Sequence, residues 1–300
     1  MASDSRRGSL VAILLVLLVF GAGVVASARM LAGGRVLPAG DRVAVISLSG
    51  PIENEHRFIE ELHGFSRERG IRAFVIEIES PGGTVGATQS IYEAIRDLRD
   101  RDDRPIVAWM GDIAASGGFY VAMAADTVLA LPGTITGSIG VIMEFPNAEE
   151  LYRKVGLDWE VVKSGEYKDM GSSSRSLGEG DRRILQDLVT DVHEQFVDAV
   201  AANRSLGREA IAVLADGRIY SGRQAAELGL VDGLATLDEA VSMAGRLAGL
   251  GPDPRIERPA VPRIGLWDVI RGVSASEARG LLRTWVPTHS GTPRLLYEWR

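Results

Sequence analysis

Apolar and polar positions along this chain fall into short runs that switch between a two-residue and a helical period. Arg42–Leu48 is short and β-branched, which predicts a strand. Glu53–Gly70 is polar with spaced apolar residues, which predicts a helix. Ile71–Glu79 (IRAFVIEIE) reads as the next strand and ends at the turn Ser80-Pro81-Gly82-Gly83. Thr84–Arg99 carries Ile91, Ala94, Ile95 and Leu98 on one helical face. Pro105–Met110 predicts a strand, GDIAASGG a small-residue turn, Gly117–Ala125 a helix and Asp126–Ala130 a strand. Further strands are expected at Thr136–Met143 and Trp159–Lys163, with a helix at Asn147–Val155 between them. A polar loop over 164–177 precedes a long helix, Gly180–Asn203, in which Ile184, Leu188, Val192, Phe196 and Val200 recur at helical spacing. Residues 211–250 hold two or three shorter elements. Strands alternating with helices imply βαβ crossovers and a mainly parallel α/β sheet. Functional groups then gather at the carboxyl ends of the strands, where both SPGG and AASGG lie.

The two ends of the sequence differ from this pattern. Residues 10–28 (LVAILLVLLVFGAGVVASA) are nineteen residues without a charge. At about 1.5 Å per residue they nearly span a ~30 Å hydrocarbon core. Arg6 and Arg7 precede them, which favours a cytoplasmic N-terminus with the bulk of the chain outside. Ala26-Ser27-Ala28 also fits a signal-peptide cleavage site. The apolar run exceeds the usual length of such a signal, so the reading adopted is a retained transmembrane anchor. The expected organisation is 1–28 N-terminus and anchor, 29–40 linker, 41–250 main domain and 251–300 tail. Prolines 252, 254, 259, 262, 287 and 293 give the tail a weakly structured look, with short helices expected at 265–272 and 276–284.

Composition removes several chemistries. A net charge of −7 offers no basic field for nucleic acid. The absence of cysteine excludes disulfides, thiolate metal sites and a thiol nucleophile. The four histidines, His56, His63, His193 and His289, sit in no hydrolase or zinc motif, and His193-Glu194 is not followed by the spacing of HExxH.

What remains is a set of small-residue turns and a lysine. Ser116 sits in Ala114-Ala115-Ser116-Gly117-Gly118, where a strand turns into a helix. The Gly117 amide can approach a bound carbonyl there, as an oxyanion donor. The plain alternative is a serine that caps the helix. In Ser80-Pro81-Gly82-Gly83 the glycines permit positive φ and can turn the Gly83 amide into a pocket, or they simply make a turn. A serine needs a base, and a neutral lysine serves if burial lowers its pKa. Lys168 in SGEYKD is one candidate, with Lys163 and Lys154 as rivals; residue chemistry alone does not separate Lys168 from a surface charge. Ser138 in Thr136-Gly137-Ser138-Ile139-Gly140 can orient such an amine, or can be an ordinary turn serine.

In this order and spacing, IEIESPGGTVGA, MGDIAASGGFYVAMAAD, PGTITGSIGVIME, VVKSGEYKDMGSSSRSL and DGRIYSGRQAAELGLVD resemble the signal peptide peptidase A family in its short, single-domain form. The resemblance covers roughly 42–245. It implies a Clp protease/crotonase-like superfold with an N-terminal transmembrane helix. It implies a Ser116 nucleophile, a Lys168 base, a Ser138 that positions the lysine, and an oxyanion hole from Gly83 and Gly117. It further implies a homo-oligomer whose subunits can share catalytic residues, no metal or coenzyme, and substrates that are remnant signal peptides and similar apolar peptides with small, apolar side chains at the cut. The expected location is the cell membrane, single-pass, with the catalytic domain extracytoplasmic. The alternatives are a stomatin-associated type of membrane protease, a crotonase-like acyl-CoA enzyme using acids such as Asp112 and Glu144, and a non-catalytic membrane scaffold.

Overall fold

The computed structural model describes residues 40–260 and 296–298. The expected anchor at 10–28 and the expected helices at 265–272 and 276–284 lie outside these residues. Among the described residues, no helix is long and apolar enough to cross a membrane.

Strands β1 (Arg42–Ser49), β2 (Ile71–Ser80) and β4 (Ile106–Ala115) form the centre of a sheet, with α1 (His56–Ser66) and α2 (Val85–Arg101) as crossovers. The short β3 (Gly82–Thr84) branches off the end of β2. Helix α3 (Gly117–Ala122) follows β4 directly. Then come β5 (Thr127–Ala130), β6 (Ile135–Gly137), α4 (Glu149–Lys154), α5 (Glu179–Asn203) and α6 (Arg208–Leu214). The chain continues through β7 (Ile219–Ser221), α7 (Gly222–Glu227), β8 (Gly233–Leu234), α8 (Leu237–Leu247), β9 (Ile256–Glu257) and β10 (Leu296–Glu298). The sheet is parallel throughout except where β6 meets β7, so the expected α/β class with a mainly parallel sheet is what the chain adopts.

Both sheet faces are covered, which is why the strands are apolar on both sides. Ala44, Ile46, Phe74 and Ile76 pack under the layer of α1, α2, α3 and α5. Val43, Val45, Ala73, Val75 and Trp109 alternate to the other face, against Ala240, Val241 and Ala244 of α8.

Four details depart from the sequence reading. First, β4 does not stop at Met110. The Glu79 carboxylate accepts the Asp112 and Ile113 amides (3.0 and 3.3 Å) at a register shift of β2, which carries the strand through GDIAA. Gly111 leaves room for that carboxylate, which a Cβ at this position would displace. Second, β6 spans only Ile135–Gly137, since Ser138 turns the chain at φ 50°. Third, Trp159–Lys163 is not a strand; among the described residues nothing pairs with it, and it is exposed. Fourth, the tail contributes two strands: β9 lies parallel on β1, and β10 lies antiparallel on β3.

Candidate active site

Ser116 stands where β4 ends between two neighbours. Ser80 of β2 is in register with Ala114, and Gly137 of β6 with Ala115. The Ser116 amide donates to the Gly137 carbonyl (2.8 Å). The chain then turns through φ 51° and ψ −113° at Ser116 before α3 begins. That backbone region costs a non-glycine residue roughly 1–3 kcal/mol and clusters at functional sites. The Ser116 hydroxyl caps no amide of α3, and the residue is 1 % exposed. Helix capping therefore does not account for the serine.

The two glycine turns converge beside it. A Cβ on Gly82 would lie 2.7 Å from the Gly117 nitrogen, and one on Gly117 would lie 3.1 Å from the Gly82 Cα. No side chain fits between these backbones, which explains the residue type at both positions. The amides of β3 are apportioned by strand alternation. Gly82 N–H donates to the Ser80 hydroxyl (3.1 Å), and Thr84 N–H donates to the Ile52 carbonyl (2.8 Å). Gly83 N–H consequently faces the opposite edge, where Tyr297 of β10 is its partner in the ladder. The Tyr297 carbonyl oxygen is wedged at this point. A Cβ on Gly82 would collide with it, and one on Gly117 would lie 3.1 Å away.

Ser138 follows immediately across β6. It is 8 % exposed, with φ 50°, and its amide donates to the Arg218 carbonyl (2.8 Å). Thr136 Oγ1 donates to the Ala114 carbonyl (2.7 Å) and ties β6 to the end of β4. Gly137 has φ 77°, and a Cβ there would press on the Tyr220 ring at 2.5 Å. The DGRIYSG stretch thus has a structural purpose. Arg218 grips Asp216, whose carboxyl is held down to about 2 by the guanidinium hydrogen bond, and the pair stiffens the turn supporting Ser138.

The lysines are not equivalent. Lys163 Nζ donates to Asp169 Oδ1 and to the Glu166 carbonyl, both at 2.8 Å. Lys154 lies 3.9 Å from Glu150. Lys168 has no ion pair among the described residues, and its backbone N–H donates to Gly165. Asp169 anchors the loop. Arg175 first, then Lys163, hold its carboxyl far below the ordinary carboxylate range, and Arg175 continues to Asp181. The structure brings Ser116, Gly117, Gly83 and Ser138 together. It leaves Lys168 exposed, with no hydrogen bond to Ser116 or Ser138 among the described residues.

Sequence reasoning missed an aromatic pocket at this site. Tyr120 of α3 and Phe196 of α5 have ring centroids 4.9 Å apart, and both pack on Tyr297. Burial pushes the Tyr120 phenol up to about 12. Thr88 of α2 is also unanticipated: its buried Oγ1 has no hydrogen-bond partner among the described residues, and a Cβ on Gly117 would lie 2.8 Å from it. The rings looked like ordinary helix core in GGFYVAM and EQFV, and the apolar Leu295-Leu296-Tyr297 run was the available signal in the tail. His193 Nε2 meets the Ala215 carbonyl (2.8 Å), and no group of three or more carboxylates and imidazoles is arranged to hold a metal among the described residues.

Comparison with known proteins bears on the fold and the family. The family model Peptidase family S49 matches residues 99–251, and the model Clp protease matches 39–136. A Synechocystis sp. protein named as a protease is 48 % identical over 186 residues, 62 % of this chain and 66 % of that protein. An Enterococcus faecium protein bearing the name signal peptide peptidase SppA is 34 % identical over 63 % of this chain and 54 % of its own. Serine protease SPPA, chloroplastic, of Arabidopsis thaliana is 29 % identical over 82 % of this chain and 38 % of its own. The chain thus spans between 38 % and 66 % of the length of these relatives. Its fold is the Clp protease-like α/β fold, and the chain belongs to peptidase family S49.

Proposed function

We propose that the protein is a serine endopeptidase, anchored through residues 10–28 with its catalytic domain on the extracytoplasmic side of a cell membrane, and that it cleaves remnant signal peptides and similar apolar peptides. The observation that carries the chemistry is the strained, buried Ser116 at the junction of two glycine turns, with the Gly83 and Gly117 backbones converging on a peptide carbonyl.

Ser116 is the nucleophile and Lys168 the general base. The amine takes the hydroxyl proton, and Oγ attacks the peptide carbonyl carbon. The Gly83 and Gly117 amides stabilise the oxyanion; losing one such donor costs about 3–4 kcal/mol of transition-state stabilisation. The ammonium protonates the leaving amine, and water hydrolyses the ester. Lys168 is favoured over Lys163 because the Lys163 amine is committed to an ion pair with Asp169. Ser138 orients the amine.

A lysine base must be desolvated, yet Lys168 is exposed in a single chain. Assembly resolves this. Leu151, Val155, Leu157, Trp159, Val161 and Val162, all exposed, belong to the same arm as Lys168. Covering that arm with a second copy of the chain buries them and brings a base to Ser116 from within or across the interface.

The test is labelling by a fluorophosphonate together with cleavage of a membrane-spanning signal peptide in detergent. Wild-type protein is expected to label at Ser116 and to cut the peptide, and Ser116→Ala to do neither while keeping its fold and assembly. Substantial turnover by Ser116→Ala removes the serine from this role. Binding of an acyl-CoA by an unlabelled wild-type protein reassigns the site to the crotonase-like alternative.

A further inference from the structure

Lys168 lies in an exposed loop, yet the residues on either side of it are tied to one place, the first turn of α5. Before it, Tyr167 packs over Gly180, where a Cβ would lie 3.1 Å from both the ring and the hydroxyl. After it, Asp169 Oδ1 accepts from Arg175 Nη2 at 2.8 Å, and Arg175 Nη1 donates to Asp181 Oδ2. Asp181 is 4 % exposed and also accepts the Gly178 amide at 3.1 Å. Helix α5 itself is seated in the core through Val192, Phe196 and Val200. The backbone at 168 is thus referenced to a packed helix through one guanidinium, whose planar fork reaches two carboxylates at once. Lys163 shares the same Asp169 oxygen at 2.8 Å, but it sits on the exposed arm and ties the loop only to that arm.

Resting on the reading of Lys168 as general base, we propose that Arg175 is a positioning residue for that lysine: it fixes the loop to α5 and balances the charge of the two carboxylates it bridges. Lys163, Asp169, Arg175 and Asp181 form a chain of ion pairs with two charges of each sign, so the chain presents no net charge to position 168. The other charged groups at this loop are Glu166 on the loop itself, Glu149 of α4, which accepts the Ser176 amide and hydroxyl (3.0 Å each), and Glu179 and Arg182 at the start of α5. Without Arg175 the chain keeps two carboxylates and one cation. A carboxylate one residue from the amine then favours its protonated form, which cannot accept the Ser116 proton.

The two effects of the bridge separate by sign. Removing Arg175 releases the loop and leaves a surplus negative charge. Removing the Asp181 carboxylate releases the same tie but leaves a surplus positive charge, which favours the neutral amine. A brace that acted on stability alone would give neither change in titration.

Rate profiles against pH for the full chain in detergent, with the membrane-spanning signal peptide as substrate, test this. Arg175→Ala is expected to lose roughly ten- to hundredfold in kcat with KM little changed, as a misplaced catalytic group does. The acidic limb of its kcat/KM profile is expected to move up by roughly half a unit to one unit. Guanidinium added well below denaturing concentration is expected to restore part of the lost rate. Asp181→Asn is expected to lose kcat while its acidic limb moves down. An unchanged rate and profile in Arg175→Ala, beside an inactive Lys168→Ala, overturns this inference alone. Losses in kcat with both acidic limbs unmoved also overturn it and leave Arg175 a structural brace. Should Arg175→Ala not fold, Asp181→Asn decides: an acidic limb that stays or rises overturns the inference. Near-wild-type turnover by Lys168→Ala overturns the base reading, and this inference with it.

Discussion

Among the described residues, only Ser116 and Ser138 are non-glycine residues with positive φ, at 51° and 50°, and one hydrogen bond, from the Ser116 amide to the residue before Ser138, links them. A left-handed conformation costs an L-residue about 1–2 kcal/mol that glycine does not incur. Ser138→Gly should therefore raise the thermal midpoint, by the equivalent of about 1 kcal/mol, while lowering kcat. A serine that merely made a turn would give the stability gain without the kinetic loss, so the pair of measurements separates the two roles. The lysines offer a parallel contrast. Lys168→Ala should abolish peptide cleavage without loss of fold, because the residue is exposed and unpaired among the described residues. Lys163→Ala should retain measurable turnover, since it loosens one of two cationic ties on Asp169 and leaves Arg175 in place. The reverse pattern in kcat would move the base to position 163. Gly82→Ala belongs to the same scale. Its φ of 102° and the Gly117 nitrogen 2.7 Å from a Cβ leave no room for the methyl, and turnover should fall by at least the roughly hundredfold typical of a damaged oxyanion hole.

The elements differ in how far local pattern determines them. Strands β1 and β2 were readable because burial on both faces demands unbroken apolar runs, and α5 because its apolar stripe is long. The turn at Ser116 was readable because close backbone approach permits only glycine at 82 and 117. The extension of β4 through Gly111-Asp112 was not, because Glu79 from another strand supplies the acceptor that makes it possible. Position 297 was invisible for a related reason. Its pocket is assembled from α3 and α5, more than a hundred residues or nearly so from the tail, and no local spacing reports a partner so distant. The end of β4 rests on a bond of this long-range kind. Thr136 and Ala114 are both fully buried, and the Thr136 hydroxyl donates to the Ala114 carbonyl two residues before Ser116. Thr136→Val keeps the shape and removes the donor. It should cost about 1–3 kcal/mol in denaturant unfolding and reduce kcat more than it changes KM, because the turn at Ser116 loses its support. An unchanged kcat with the same stability loss would show that Ser116 is positioned by the sheet alone.

At the scale of the whole molecule the parts proposed for catalysis are divided between a packed core and an exposed arm. Ser116, Gly83, Gly117 and Ser138 sit in or against the sheet, while the chain from Leu151 to Tyr167 carries large apolar side chains into solvent, with Trp159 at 61 % and Val162 at 102 % exposure. Large apolar side chains exposed together along one segment are a feature of interaction sites. The proposed assembly makes one demand that no single-chain model does: the arm must be covered before Lys168 can work as a base. Val162→Asp and Trp159→Asp place a charge in that interface at exposed positions, where Trp159 loses only its ring contact with Tyr152. Each should leave the far-ultraviolet circular dichroism and the unfolding midpoint of the sheet domain unchanged, shift the sedimentation coefficient in detergent to that of a single chain, and abolish peptide cleavage. Mixing either variant with Ser116→Ala, which retains a complete arm, should restore part of the activity if the lysine is donated across the interface, and none if each chain supplies its own. A variant that sediments as a single chain and still cleaves at the wild-type rate would mean that Lys168 reaches Ser116 within one chain, by a folding back of the arm, and the assembly would then have no part in the chemistry.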